Sequence, residues 1–118
     1  GYVLAREREG LVRSIVCKHS GMEEMAQELN ICVDHGCCVL DVIVEHPVYG
    51  QLAGQLQLST RYDVSQFLES VAQDKAHVLS ELTDGIHLHT LSCPDEAAFE
   101  RTKSALRALR VLLEENGN

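Results

Sequence analysis

The sequence predicts an α+β open-faced sandwich, an antiparallel sheet carrying helices on one face. Three observations predict it. Period-two and helical apolar patterns alternate along the chain with no linker between them. Two pairs of strand-like segments are joined by turn-type residues, Pro47-Val48-Tyr49-Gly50 and Thr83-Asp84-Gly85. Residues 52–58 have one apolar and one polar side, as a sheet with a single covered face requires.

Residues 11–18 alternate loosely and are rich in β-branched side chains (Val12, Ile15, Val16), which predicts a first strand. His19 falls at its end, in phase with Ile15 and Cys17, and Ser20-Gly21 interrupts it. Met22, Met25, Ala26, Leu29 and Val33 recur at helical spacing and predict an amphipathic helix ending near His35-Gly36. The Met stripe reads as core packing. In the next strand Leu40, Val42, Val44 and His46 alternate with Asp41, Ile43 and Glu45. In the third, Leu52, Gly54, Leu56 and Leu58 alternate with Ala53, Gln55, Gln57 and Ser59.

Thr60-Arg61-Tyr62-Asp63 has capping-box spacing and opens a second helix, with Val64, Phe67, Leu68 and Val71 as its buried stripe. Residues 78–82 and 86–91 flank the Asp-Gly pair as a second hairpin. Pro94 is placed to open a final helix, with Ala98, Phe99, Thr102, Ala105, Leu106, Leu109, Leu112 and Leu113 along one face. Asn116-Gly117-Asn118 reads as a frayed end. The expected order is β-α-β-β-α-β-β-α.

A chain of 118 residues, 45% apolar, fits one domain with a real core. With 10 Lys+Arg against 18 Asp+Glu, the net charge of −8 argues against a nucleic-acid-binding surface on these residues. Tryptophan is absent and aromatics are few, so single-strand stacking platforms are missing as well. No apolar run approaches the ~18 residues of a spanning helix, and the first residues lack a signal-peptide layout. A cytoplasmic protein without a membrane partner is expected. The five cysteines (Cys17, Cys32, Cys37, Cys38, Cys93) form an odd set with no CxxC pair and read as reduced, mostly buried small hydrophobes.

His87-Leu88-His89 is the sharpest local feature. Residues i and i+2 of a strand share a face, so both imidazoles project together and can grip one Zn, Ni, Co or Fe ion. Alone the pair is a weak signal, shared with two unrelated histidines on a wet sheet face. Further donors strengthen it. His19 ends the first strand, and at ~100° per residue Glu28 lies at the edge of the helix's apolar stripe beside Cys32. Glu23 and Glu24 read instead as a solvated face near the helix N-terminus. Three histidines and one glutamate suit a mid-series divalent ion with a position open to water or a ligand.

Glu45 and His46 are strand neighbours facing opposite sides, a weak general acid/base pair. His46 could hydrogen-bond a ligand or orient a metal ligand, or simply close a strand end whose turn is made by Tyr49 and Gly50. Arg61, beside the free amides of a helix start, suits an anion, although an exposed arginine on a polar face is the commoner finding. His35 and His77 have no partner in the pattern. HExxH, GxSxG, P-loop and strand-linked GxGxxG motifs are absent.

The strings Cys17-Lys18-His19, Glu28-Leu29, Asp41-Val42-Ile43-Val44-Glu45-His46-Pro47-Val48-Tyr49-Gly50, Arg61-Tyr62-Asp63-Val64 and Leu82-Thr83-Asp84-Gly85-Ile86-His87-Leu88-His89-Thr90 resemble the three-histidine (3H) domain. This is the C-terminal regulatory half of niacin-responsive bacterial transcriptional repressors. The resemblance covers residues 11–113 and implies an HPr-like sandwich, a divalent transition metal such as nickel or zinc, nicotinic acid as effector and corepressor, and a homodimer. Carried over by position, the metal ligands are His19, Glu28, His87 and His89. The link from His19 to Glu28 is one residue longer than the family's usual link, so Glu28 is placed by its neighbour Leu29, with Glu24 as the alternative. His46, Tyr49 and Arg61 are the candidate effector contacts.

Such repressors carry a winged helix-turn-helix before this domain. Residues 1–10 then read as the remnant of a wing and linker, residues 11–113 as the regulatory domain, and 114–118 as the frayed end. Operator DNA would be contacted by the missing N-terminal part. Two other readings use the same ligands: a small metal-dependent enzyme that activates water, and a purely structural metal site.

Overall fold

The computed structural model describes residues 10–18, 21–46, 48–73 and 86–113, without the side chains of 46 and 71–73. Among them, seven elements follow in order: β1 (Leu11–Lys18), α1 (Met22–Asp34), β2 (Cys38–His46), β3 (Gly50–Leu58), α2 (Arg61–Gln73), β4 (Ile86–Cys93) and α3 (Glu96–Leu109). The strands form one antiparallel sheet in the order β1-β4-β2-β3. With its three helices this is the expected α+β open-faced sandwich. The expected strand 78–82 and its Asp-Gly turn lie outside the described residues.

The register positions the site. β4 runs between β1 and β2, with His89 opposite Ile15 and Val42, and His87 opposite Cys17. Because side chains alternate across a strand, Ile15, Cys17, His87, His89, Leu91 and Cys93 all lie on the covered face and are buried. Val12 and Ile86, on the other face, are exposed. α1 packs against both α2 and α3 and lies over β2, while α2 covers β3 and α3 covers β4. Leu29, Val39, Val64, Leu91, Phe99 and Leu106 belong to the core between these layers.

The helix starts obey local chemistry. At α2, the Asp63 amide donates to Thr60 Oγ1 (3.0 Å), and the amides of Thr60 and Ser59 donate to Asp63 Oδ2 at 3.2 and 2.9 Å. That is the reciprocal capping box read in the sequence. α3 is capped by Asp95, whose Oδ1 accepts from the Ala98 amide at 2.8 Å. Pro94 therefore precedes the cap instead of opening the helix.

Three local readings are corrected. A register shift between Val39 and Asp41 puts Val39, not Leu40, in the core with Val44; a bulge adds one residue and inverts the alternation before it. The final helix stops at Leu109, because Arg110 adopts a left-handed conformation (φ 71°). Residues 111–113 then run along β1: Lys18 N donates to Val111 O (2.7 Å), Leu113 N donates to Val16 O (2.9 Å), and Leu112 bridges Cys17. Leu112 and Leu113 thus close a sheet edge rather than extend a helix face. Finally, Cys37 and Cys93 form a disulfide, so these two cysteines are not the reduced hydrophobes expected. They are 56 residues apart and meet only because β2 and β4 are neighbours, with Cys38 opposite Ser92. Cys17 and Cys32 are free and buried, and Cys38 is free and half-buried. Among the described residues no helix is long and apolar enough to cross a membrane.

Candidate metal centre

Where α1 crosses the sheet, Glu28 points into the core and is 0% exposed. It meets the two histidines of β4. His87 Nε2 lies 2.9 Å from Glu28 Oε2 and 3.1 Å from Oε1, and His89 Nε2 lies 3.5 Å from Oε1. The imidazoles stand edge to face, with centroids 4.7 Å apart. Both are almost wholly buried. The alternative carboxylate, Glu24, lies on the exposed side of α1.

The tautomer of His89 is set by the bulged part of β2. Its Nδ1 lies 2.8 Å from the Asp41 carbonyl oxygen. A carbonyl only accepts, so Nδ1 carries the proton, and a neutral His89 turns the lone pair of Nε2 towards Glu28. Asp41 also fixes the strand, since its Oδ1 accepts from the Thr90 amide at 3.1 Å. Asp41→Ala leaves that amide unmatched, with an expected cost of about 1 kcal/mol. The His89 contact comes from the backbone carbonyl of residue 41, which alanine keeps, so metal affinity should be largely retained while stability falls; thermal melts and metal titration check the two effects.

Burial alone would push the His89 imidazole down, but the charge and hydrogen bond of Glu28, with Asp41, outweigh it and the net shift is upward. Burial, followed by the Glu28 charge, pushes the thiols of Cys17 and Cys32 up. These groups all hold protons longer in the folded chain than in the unfolded one. Stability from His89 is full below the ordinary histidine value of ~6.5 and is lost as pH rises through the raised folded value. The thiols add a loss above ~8.5. Metal-free protein is therefore expected to melt at lower temperature as pH rises from about 6 to 9, and His89→Gln should flatten the lower part of that dependence in melts run with chelator.

The donor chemistry fits a divalent transition metal. A buried carboxylate is costly without a compensating charge, and its imidazole neighbours are charged only when protonated. Imidazole nitrogens with a carboxylate oxygen suit mid-series ions. Cys17 joins the group: one donor atom each from Cys17, Glu28 and His87 lie within 4.8 Å of one another. The sequence reading missed this thiol, although its phase with Ile15 on a covered strand was the available signal.

Of the other expected residues, His19 and the side chain of His46 lie outside the described residues. Tyr49 is exposed in the β2–β3 turn. Arg61 is exposed and grips Asp34, its Nε and Nη2 at 2.8 and 2.7 Å from the two carboxylate oxygens. That hydrogen bond and charge hold Asp34 below the usual carboxylate range. Glu45 is exposed and accepts from Gln51 Nε2 at 3.5 Å. The structure thus brings Glu28, His87 and His89 together and leaves Arg61 on a surface ion pair.

Residues 12–115 match the family model of the 3H domain. The chain is 41% identical to the transcription repressor NadR of Bacillus subtilis over 119 aligned positions, which cover 98% of this chain and 66% of that protein. It is 40% identical to the probable transcription repressor NiaR of Thermotoga maritima, with 98% of this chain and 65% of that protein covered. The chain thus spans just under two thirds of the length of these curated relatives.

Proposed function

The chain belongs to the 3H domain family, and on that premise we propose that it is the effector-sensing regulatory domain of a transcription repressor. In this reading His19, Glu28, His87 and His89 hold a divalent transition metal, nickel, zinc, iron or cobalt. Nicotinic acid binds as corepressor and controls genes for uptake or synthesis of NAD precursors. The observation that carries the reading is the convergence of Glu28 with His87 Nε2 and His89 Nε2 on the covered face of the sheet. The relatives named as repressors support regulation over catalysis.

When bound, the metal supplies a Lewis-acid position for a pyridine nitrogen or a carboxylate. The chain's own residues do the rest. Glu28 neutralises charge, the Asp41 carbonyl holds His89 in the required tautomer, and burial keeps competing water out. Arg61 would recognise the nicotinate carboxylate by exchanging Asp34 for it, with His46 and Tyr49 as further polar contacts. The protein acts as a homodimer, and operator DNA is contacted by residues other than these, in keeping with their charge of −8.

Calorimetric titration of nickel- or zinc-loaded protein with nicotinate tests the proposal. A saturable heat that disappears in His89→Ala or after chelation is expected, with the fold retained. No binding at millimolar nicotinate would overturn the effector assignment. Unfolding on chelation, with no ligand-dependent shift in melting temperature, would make the metal purely structural instead.

A further inference from the structure

We propose that Cys17 is a thiolate ligand of the metal site, adding sulfur to the nitrogen and oxygen donors of β4 and α1. The inference rests on the reading that the site holds a metal. Cys17 sits directly opposite His87 in the β1–β4 ladder, so the two side chains project from adjacent strands on the same covered face. It is 0% exposed, and its Sγ lies within 4.8 Å of a Glu28 oxygen and a His87 nitrogen. Donors around one ion at bond lengths of about 2.0–2.3 Å sit roughly 3–4 Å apart. Closing the gap therefore takes a side-chain adjustment of about an ångström, not a movement of the sheet.

The backbone holds the thiol in place from its other side. Leu112 bridges Cys17, and the flanking amide and carbonyl of Lys18 and Val16 bond residues 111 and 113. Cys32, one helical turn beyond Glu28 and equally buried, is the built-in comparison: a small buried thiol outside the three-donor group. On binding, the Cys17 S–H bond gives its proton to solvent as the S–metal bond forms, with no change in oxidation state. A thiolate in the set favours borderline-soft ions such as cobalt, nickel and zinc over magnesium, calcium or manganese.

Cobalt(II) titration of the purified protein, read by absorption, tests this. One equivalent of cobalt giving visible ligand-field bands shows an occupied site; a sulfur-to-cobalt charge-transfer band in the near ultraviolet shows the thiolate. Cys17→Ser is expected to abolish the charge-transfer band while ligand-field bands persist, and Cys32→Ser should leave both intact. Ligand-field bands without charge transfer in the unaltered protein would overturn the Cys17 assignment and spare the metal reading. A charge-transfer band that survives in Cys17→Ser would overturn it likewise. Absence of any cobalt binding would sink both. If Cys17→Ser does not fold, X-ray absorption of the cobalt-loaded unaltered protein decides: one sulfur neighbour at about 2.3 Å is expected, and none is fatal.

Discussion

Glu28→Gln should lower the affinity for a divalent transition metal by more than about 100-fold, beyond the upper end of what loss of an outer-shell contact produces. The same substitution should leave the metal-free protein folded. A glutamine amide has the shape of the carboxylate; its oxygen accepts from His87 Nε2–H and its NH2 donates to the lone pair of His89 Nε2. Both buried imidazoles keep a partner, and only the negative charge and the second ligating oxygen are gone. The expected change in metal-free stability is therefore under about 1 kcal/mol. Metal titration alongside urea unfolding separates the two quantities. Loss of stability without loss of metal binding would place the metal elsewhere.

The adjoining residue predicts the reverse pattern. Leu29 is 1% exposed and belongs to the core under α1. Leu29→Ala removes buried apolar volume that a helix pinned between α2 and α3 cannot collapse to fill. A cost of about 3 kcal/mol is expected, lowering the melting temperature by roughly 10–20 °C with an unchanged urea m-value. The intrinsic donor set is untouched, so excess metal should recover part of the lost stability by mass action. One position on α1 thus carries the charge of the site and the next carries its platform.

Much of this arrangement was legible in the sequence because it depends on local periodicity. The His87/His89 pair follows from strand parity alone, and Glu28 was separable from Glu24 by its angle around α1. The capping box at Thr60 and Asp63 is a four-residue pattern and forms as read. What was not legible depends on long-range pairing. The strand order puts β4 between β1 and β2, and no periodicity encodes that insertion. The bulge at Val39–Asp41 leaves no composition signal, and the turn at Arg110 lacks the glycine that normally marks a left-handed helix end. By sequence alone Cys17 reads as ordinary core, because the residue opposite it, His87, is known only once the register is known.

The placement of β4 also sets an order of events. Glu28 and His87 are 59 residues apart, and β1 waits for both β4 and residues 111–113 before its backbone is paired. A nascent chain exposes Cys17 and Glu28 long before their β4 partners leave the ribosome. Contacts of such separation form late, because loop closure must be paid for first. The complete donor set therefore exists only in a chain whose sheet has closed. A half-made or clipped molecule that lacks β4 lacks the cluster of Cys17, Glu28 and His87 altogether.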